Sequence, residues 1–423
     1  MLLGREELLH LLPHPLKRWT LLSAIAWVAL VAGCSDDTGK LAASGTGDVS
    51  NPPAARGSSA SPLDEACGPG AVTAGGAAVL RRWPYLQDVT TSSASVALTS
   101  VPGVTPHLTV TLPDGSVVAQ LEMGIDASAH PPAAEQHLVT VDGLTPGTLY
   151  CYAVDGLVGR AGFRTAPALG GDDTIRFVAF GDSGSGGPEQ RTLYDQMRQF
   201  PFDFVIHLGD LAYEKGAFGE IEQHFFRVYS PTLRSFPVFP AIGNHDVATA
   251  SGAPYLQSFV LPSGIPEREE RQYSFDFGDV HFVALDTERI DAEQSLWLDE
   301  DLGATSAPWS IVFAHRPAYS SGAHGGSAAF RQTFGPILKK HAVPLVLSGH
   351  EHDYERTLPI AGTTYVVSGG GGRETRAVGH SVFTAYSEDV LHFLVVEANA
   401  RRIALHAIDG VGREFDSAVI ERQ

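Results

Sequence analysis

Acidic, amide and imidazole side chains recur where apolar segments end in the second half of the sequence. Five short segments share this pattern: Gly181-Asp182-Ser183-Gly184, Gly209-Asp210-Leu211-Ala212-Tyr213, Gly243-Asn244-His245-Asp246, His315 after Ala314, and Gly349-His350-Glu351-His352. Carboxylate and amide oxygens together with imidazole nitrogens form a ligand set that suits two metal ions. Glycine beside most of these residues allows tight turns and close backbone approach. The segments predict a two-metal site if the fold brings them together.

The elements that would position these residues alternate between apolar strands and helical segments from Thr174 onward, which is typical of layered α/β architecture. The predicted strands are Ile175 to Phe180, Phe204 to Leu208, Val238 to Ile242, Val280 to Leu285, Ile311 to Ala314, Pro344 to Leu347 and Thr364 to Val367. The predicted helices are Glu189 to Phe200, Phe218 to Tyr229, Ala292 to Leu302 with Asp291 as N-cap, and Ala328 to Lys340. Ligand crevices form at the carboxyl ends of such strands, so the five segments should converge.

Each motif is weak alone, because Gly-Asp and Asn after a strand usually mark turns and a lone His or Tyr is usually structural. Together, Gly-Asp-x-Gly, Gly-Asp-x-x-Tyr, Gly-Asn-His-Asp, Val-x-x-His and Gly-His-x-His resemble the purple acid phosphatases. Calcineurin-like phosphoesterases share most of these blocks, and Tyr213 narrows the resemblance to the purple enzymes. The resemblance implies a four-layer α/β/β/α metallophosphoesterase domain at residues 174–423.

The resemblance also implies roles for individual residues. One metal would be held by Asp182, Asp210, Tyr213 and His352, and the other by Asp210, Asn244, His315 and His350, with Asp210 as the bridge. Two carboxylates and a phenolate suit Fe(III), and the second set suits a divalent ion such as Zn, Fe or Mn. The implied activity is that of an acid phosphatase, which hydrolyses phosphate monoesters by a hydroxide that the two metals activate.

Four further features near these motifs have open interpretations. The resemblance places His245 beside the phosphate as a catalytic residue, with an orienting histidine as the alternative. His324, in a Gly-rich loop, would contact substrate or be a solvated loop residue. Arg316 and Arg356 could steady phosphate or structure. The run Gly369–Gly372 lacks the Lys and Ser/Thr of a P-loop, so it is interpreted as a tight turn near the site.

Residues 77–167 form a different region, with short alternating apolar runs broken by Pro-Asp-Gly and Pro-Gly turns, which predicts an all-β sandwich. The stretch Leu138–Tyr152 resembles a fibronectin type III domain, with Tyr150 as a candidate tyrosine corner. A sandwich before the catalytic domain also fits the longer purple acid phosphatases. We expect it to act as a spacer or to support a lid.

The N-terminus resembles a bacterial lipoprotein signal at residues 1–34. Lys17 and Arg18 precede an apolar run that ends before Cys34, and the run is shorter than the roughly 20 residues that a spanning helix needs. Cys34 would then be lipidated, giving an exported, membrane-anchored lipoprotein facing the periplasm or cell surface. Residues 35–76, rich in Gly, Ser, Ala and Pro over most of their length, would form a flexible tether.

Three cysteines are present in the chain. With Cys34 assigned to lipid, Cys67 and Cys151 remain for a disulfide in an oxidising compartment. The alternative is that Cys151 is a buried strand thiol, and the sequence leaves the two open.

The charge balance limits the partners. The chain has 29 basic and 48 acidic residues, a formal net charge of −19, which repels nucleic acid and acidic membrane surfaces. An anionic phosphate needs local positive charge at such a protein, and bound metal ions can supply it. The resemblance to phosphatases implies a small phosphorylated substrate as the partner, whereas the oligomeric state is left open.

Three alternatives to a phosphomonoesterase remain. A phosphodiesterase or nucleotidase would use the same metals, because the motifs do not determine the loops that contact the leaving group. A non-catalytic surface binding protein would also have an anchor, a tether and a fibronectin-like domain, but would not need the complete ligand set. A redox-active iron centre that generates oxidants would retain Tyr213.

Overall fold

The computed structural model describes residues 62–422 apart from 69, 71, 172, 263 and 266–269. The predicted signal peptide with Cys34, and residues 35–61 of the predicted tether, lie outside these residues. Within the described part of the chain, no helix is long and apolar enough to cross a membrane.

Two short helices, α1 (Pro62–Cys67) and α2 (Ala74–Val79), precede two antiparallel four-stranded sheets. The strands are β1 (Leu80–Gln87), β2 (Ser93–Ser100), β3 (His107–Thr111), β4 (Val117–Glu122), β5 (Gly124–Ile125), β6 (Glu135–Asp142), β7 (Leu149–Val154) and β8 (Val158–Arg164). Their orders are β1-β2-β6-β5 and β4-β3-β7-β8. Residues of both sheets, such as Val96 and Val110, share one apolar cluster, so the sheets pack face to face.

Tyr150 makes the hydrogen bond expected of a tyrosine corner. Its hydroxyl oxygen accepts from the backbone N–H of Thr145 at 2.9 Å, five residues upstream. The assignment of residues 77–167 to the fibronectin type III class stays a prediction beyond this contact.

Cys67 and Cys151 form a disulfide with a Cα–Cα distance of 5.6 Å. It links helix α1 to strand β7 across a sequence separation of 84 residues. A crosslink over so long a loop restricts the unfolded chain strongly. Of the two alternatives that the sequence left open, the structure therefore shows the disulfide.

The rest of the described chain forms two larger mixed sheets. The first has the order β11-β10-β9-β19-β20-β21. Its strands are β9 (Ile175–Phe180), β10 (Phe204–His207), β11 (Val238–Pro240), β19 (His392–Ala398), β20 (Arg402–Asp409) and β21 (Glu414–Glu421).

The second sheet has seven strands in the order β12-β13-β14-β15-β17-β16-β18. They are β12 (Tyr273–Phe277), β13 (Val280–Leu285), β14 (Trp309–Ala314), β15 (Leu345–Ser348), β16 (Tyr354–Thr357), β17 (Thr364–Ser368) and β18 (Thr384–Glu388). Strands β9 to β11 are parallel in one sheet, and β13, β14, β15 and β17 are parallel in the other. Both sheets therefore have a carboxyl edge at which loops can meet.

An aromatic core joins the two sheets. The ring of Phe282 on β13 lies 5.3 Å from that of Phe177 on β9 and 5.3 Å from that of Phe204 on β10. A second apolar cluster packs α7 (Ala292–Ala304), α8 (Ala328–Thr333) and α9 (Gly335–Lys340) against the seven-stranded sheet. On the six-stranded sheet, Phe180 packs on Tyr229 of a helical segment. The complete four-layer order stays a prediction.

Comparison with the predicted elements shows agreement for strands and corrections for helices. All seven predicted strands are present with small shifts at their ends, and Asp291 caps α7 by accepting from Gln294 N–H at 3.1 Å. The other helical elements are α3 (Pro188–Met197), α4 (Phe218–Glu220), a π-helix (Ile221–Phe226), α5 (Arg227–Leu233), a 3-10 helix (Ala250–Gly252) and α6 (Ala253–Leu256). Instead of one helix over Phe218–Tyr229, the chain thus forms three successive helical segments that end at Leu233.

The predicted helix Ala328–Lys340 is also wrong in detail, since it divides into α8 and α9. Pro336 lies in the first turn of α9, where its missing N–H is tolerated, but the ring prevents continuation from α8. Six strands, β12, β16, β18, β19, β20 and β21, were not predicted. None of these strands leads into one of the five motif segments.

Buried polar contacts attach the two N-terminal sheets to the larger part. Arg82 on β1 is only 4% exposed, and its Nε lies 2.9 Å from Glu222 Oε2 in the π-helix. Its guanidinium lies 3.6 Å from the centre of the Phe226 ring. The Tyr85 hydroxyl donates to Ser258 O at 2.8 Å. Each buried polar group is paired, so the contact fixes the register between the two parts.

His281 on β13 lies between two carboxylates. Its Nδ1 is 2.7 Å from Asp276 Oδ1, and its Nε2 is 2.9 Å from Asp301 Oδ2. Burial opposes the charged ring, but the two carboxylates outweigh it and raise the pKa of His281 to about 9.

This raised pKa predicts a loss of stability at alkaline pH. The contribution of charged His281 to the free energy of unfolding is fully present below the unfolded-state pKa of about 6.5, and it disappears as pH rises through about 9. It is at most roughly 3 kcal/mol, because Asp276 is exposed and its charge is partly screened. The free energy of unfolding, measured by denaturant titration from pH 6 to 10, should fall more steeply for the wild type than for His281→Gln. His107→Gln, at an exposed histidine, is the control. Parallel curves for the wild type and His281→Gln would refute the assignment.

Candidate metal centre

The predicted ligand residues lie in loops at the carboxyl ends of five parallel strands. Asp182 follows β9, Asp210 follows β10 and Asn244 follows β11, all in the six-stranded sheet. His315 follows β14, and His350 and His352 follow β15, in the seven-stranded sheet. The site is therefore assembled from the facing edges of both sheets.

Asp182, Asp210 and His315 form the centre of the cluster. Each offers one ligand atom, and these atoms all lie within 4.8 Å of one another. The three side chains are almost completely inaccessible to water, with residue exposures of 0%, 1% and 0%. Buried carboxylates are costly unless cations or hydrogen bonds compensate them, which makes this cluster a candidate for metal binding.

On one side of Asp210, Tyr213 joins the cluster. Its hydroxyl lies 3.0 Å from Asp182 Oδ1, 3.3 Å from Asp210 Oδ2 and 3.2 Å from His352 Nε2. His352 Nδ1 donates to Glu374 O at 2.8 Å, which leaves Nε2 free to face the cluster. These four residues are the first predicted ligand set, and the structure brings them together.

On the other side, His315 has the corresponding arrangement. Its Nδ1 donates to Leu208 O at 2.8 Å, and its Nε2 lies 3.0 Å from Asn244 Oδ1 and 3.4 Å from Asp210 Oδ2. His350 Nδ1 is 3.3 Å from the same Nε2. These are the residues of the second predicted set, and Asp210 Oδ2 contacts both sets.

Three of these residues have strained backbone. Asp182, Asp210 and His350 have φ values of 57°, 56° and 71°, a region that residues other than glycine rarely adopt. Neighbouring glycines make room: a Cβ on Gly243 would lie 2.4 Å from the Asp210 nitrogen, and one on Gly349 would lie 2.5 Å from Asp182 Oδ2. Strain of this kind persists only where the surrounding structure over-determines it, as at binding sites.

Asp246 is a positioning residue that the sequence analysis mentioned only as part of a motif. Its Oδ2 accepts from the N–H groups of Asp210 and Gly243 at 2.8 and 2.9 Å, and its Oδ1 accepts from Leu211 N–H at 3.0 Å. It is completely buried, and burial and the Asp210 charge raise its pKa to about 7. One carboxylate thus holds the loops after β10 and β11.

The protonation of the cluster without metal shows why cations fit it. Burial raises the pKa of Tyr213 well above its usual value, and the charges of Asp182 and Asp210 raise it further. Burial would lower the pKa of His315, but the same two carboxylates raise it to about 10. The site therefore retains protons to balance its carboxylates, and metal ions would provide that balance instead.

His245 faces the cluster without reaching ligand distance. Its Nδ1 donates to Glu214 O at 2.6 Å, and its Nε2 is 3.9 Å from Asp210 Oδ2. The side chain is 31% exposed. The His245 ring therefore lies close to Asp210 and is partly open to solvent.

His324 lies beside the second ligand set. Its ring is 4.8 Å from that of His350, its side chain is 48% exposed, and its Nδ1 is 3.2 Å from Glu351 Oε2. The loop is therefore attached at the site.

The two flanking arginines differ in position. Arg316 Nη1 lies 2.9 Å from His350 Nε2, and its guanidinium is bidentate with Glu288 at 2.7 and 3.0 Å. Arg356 is instead bidentate with Asp416 at 2.7 and 2.8 Å, which gives it a structural role.

The glycine run packs tightly beneath the site. Gly371 N–H donates to Gly181 O at 3.0 Å, and a Cβ on Gly369 would lie 2.8 Å from Asp182 Oδ2. This close approach, rather than a phosphate cradle, explains why glycine is needed there.

Comparisons with known proteins agree with this geometry. The family model of the calcineurin-like phosphoesterases matches residues 175–354. Acid phosphatase type 7 of Homo sapiens is 28% identical over 295 residues, covering 58% of this chain and 66% of the relative. Purple acid phosphatase 21 of Arabidopsis thaliana is 30% identical over 258 residues, covering 56% and 58%. The chain thus spans less than two thirds of either relative.

A solved structure matches the fold over more of the chain. It is the purple acid phosphatase PPD1 from yellow lupin, Lupinus luteus, with a TM-score of 0.69 and 23% identity, covering 80% of this chain and 74% of that one. The chain therefore has a mixed α/β fold that matches a purple acid phosphatase structure. Residues 175–354 are thus similar to the calcineurin-like phosphoesterases, and purple acid phosphatases are among the proteins that the chain resembles.

The role of Asp246 predicts that its loss weakens metal binding without removing a ligand. In Asp246→Ala, three buried N–H groups lose their acceptor, so the Asp210 and Asn244 loops can move apart. We expect metal affinity, measured by competition with a chelator, to fall about 10- to 100-fold. Asp142→Ala, at an exposed position on β6, should retain full affinity. Unchanged affinity in Asp246→Ala would show that the loops hold their positions without it.

Proposed function

We propose that the calcineurin-like metallophosphoesterase domain of this chain hydrolyses phosphate monoesters as an acid phosphatase, using Fe(III) and a divalent ion, Zn, Fe or Mn. One observation supports this above all. Asp182, Asp210 and His315 present ligand atoms within 4.8 Å of one another, and the Tyr213 hydroxyl lies 3.0 Å from Asp182. Carboxylate and phenolate oxygens suit a hard trivalent ion, and imidazole with an amide oxygen suits a divalent one.

Two bound ions would activate a water molecule and neutralise charge on the phosphate. Asp210 would hold both of them, because its Oδ2 lies 3.3 Å from Tyr213 Oη and 3.4 Å from His315 Nε2. Hydrogen bonds to Glu374 O and Leu208 O fix the ring nitrogens of His352 and His315 in the orientation that ligation requires.

His245 is placed to transfer a proton to the leaving alcohol. The carbonyl of Glu214 accepts from its Nδ1, so Nε2 faces the substrate side of Asp210 with partial access to water. A protonated Nε2 can stabilise the leaving oxygen and then donate to it. His324 would contact the substrate on the side of His350.

We further propose that the protein is exported and attached to the periplasmic or outer face of a membrane through lipidated Cys34. The Cys67–Cys151 disulfide supports an oxidising compartment. The net charge of −19 disfavours nucleic acid as a partner, and the proposed partner is a small phosphorylated molecule.

Tyr213→Phe tests the iron assignment. The wild type, purified with metals, should show a violet band from iron–phenolate charge transfer and should hydrolyse p-nitrophenyl phosphate until a chelator removes the metals. The band should vanish in Tyr213→Phe. It should persist in the control Tyr386→Phe, because the Tyr386 hydroxyl is hydrogen-bonded to Glu388. The measurements are a visible spectrum and steady-state turnover.

Other outcomes have definite meanings. A colourless but metal-dependent hydrolase would remove the iron assignment and leave a two-metal phosphoesterase. A colourless, inactive protein would favour the surface-binding interpretation. A coloured protein without esterase activity that consumes peroxide would favour the redox interpretation.

Substrate class is tested by comparing p-nitrophenyl phosphate with bis(p-nitrophenyl) phosphate. A monoester dianion interacts more strongly with two cations than a diester monoanion does, so kcat/KM should be roughly tenfold higher or more for the monoester. Reactions without the protein provide the background rate. A preference for the diester would establish the phosphodiesterase alternative.

A further inference from the structure

Three arginines surround the candidate metal centre, and they differ in their partners. Arg316 is bidentate with Glu288. Arg373 lies 4.6 Å above the Tyr213 ring, and its Nη2 is 2.6 Å from Glu214 Oε1. Arg376 makes no ion pair with a carboxylate of the described residues, although it lies in the same loop as Arg373, between β17 and β18.

Arg376 is nevertheless held beside the second ligand set. Its backbone N–H donates to His352 O at 2.9 Å. Its Nη1 lies 3.3 Å from His324 Nδ1 and 3.5 Å from His350 O. Within the described part of the chain, its Nε and Nη2 donate to no group, so most of the planar fork is free.

The charges around Arg376 favour the binding of an anion. Glu351, the carboxylate beside His324, is buried, accepts from the backbone N–H of His324 and contacts its Nδ1. Arg376 is half-buried beside imidazoles and the candidate metal site. No carboxylate of the described residues pairs with it, although the chain has 48 acidic residues, and this is electrostatically unfavourable. An oxyanion bound by the free Nε and Nη2 of the guanidinium and by His324 would relieve this, and a guanidinium fork matches phosphate geometry.

We propose that Arg376, together with His324, binds a second phosphate group of the substrate, so that preferred substrates are small molecules with two phosphates. This specificity rests on the proposed phosphomonoesterase function, since the scissile phosphate occupies the metal centre. The second phosphate would lie on the His350 side of it. Arg376 is thus a specificity-determining residue.

The test compares two non-hydrolysable probes on the purified, metal-loaded chain. Methylphosphonate has one anionic group, and ethane-1,2-bisphosphonate has two. Calorimetry should show that the wild type binds the bisphosphonate more tightly, and Arg376→Gln should reduce this preference roughly tenfold, the worth of one charge-assisted bidentate contact. Arg376→Lys keeps the charge without the fork and should restore the preference only in part.

Arg401→Gln is the matched control. Arg401 is exposed in the turn between β19 and β20, and Ala398 at that end of β19 pairs with Ile175 at the start of β9, opposite to Asp182. It should leave both affinities unchanged. A wild type without preference for the bisphosphonate, or an Arg376→Gln variant that loses affinity equally for both probes, would overturn the proposal.

The binding readout separates this proposal from the proposed function. If the protein does not hydrolyse p-nitrophenyl phosphate but still prefers the bisphosphonate, the proposed phosphatase function is refuted and the second phosphate site is retained. Turnover together with an Arg376-independent preference would do the reverse.

Discussion

The candidate centre depends on one buried carboxylate that is not itself a predicted ligand. Asp246 accepts three backbone hydrogen bonds, from Asp210, Leu211 and Gly243, and so fixes the loops that follow two adjacent parallel strands. Burial of this acceptor in a low-dielectric interior makes each of the three hydrogen bonds costly to break. The position of Asp210 between the two ligand sets follows from this arrangement.

Around Asp246, several residues adopt backbone conformations or degrees of burial that are unfavourable by themselves. Asp182, Asp210 and His350 adopt left-handed backbone, and two carboxylates lie in the interior without a lysine or arginine of the described residues in contact with them. Each departure is unfavourable by itself. The two large sheets, joined by the Phe177, Phe204 and Phe282 rings, provide the rigid support that such a site requires.

The sequence predicted the centre well because strand ends carry the chemistry. Apolar runs predicted the parallel strands, and the residue types after them predicted the ligands. The structure brings Asp182 and His315 together although they follow strands of different sheets, a division that the sequence did not predict. The anchoring by Asp246 could not be derived, because a carboxylate bound to backbone N–H groups has no sequence pattern of its own. Arg376 was not predicted for the same reason. Its proposed role depends on its lack of a carboxylate partner among the described residues, which only the structure shows. The π-helix at Ile221–Phe226 and the edge strands reflect tertiary contacts, such as Arg82 with Glu222, that override local preference.

The Cys67–Cys151 disulfide also has a mechanical consequence. Any pulling force applied to the chain upstream of residue 62 enters the described structure at helix α1, six residues long, which ends at Cys67. The covalent link passes that force directly to β7, which is hydrogen-bonded on both sides by β3 and β8. The load is then shared by the strands that pair with β7, and it does not pull β1, which carries Arg82, away from Glu222 and Phe226. The segment between the two cysteines therefore stays outside the covalent path of the force.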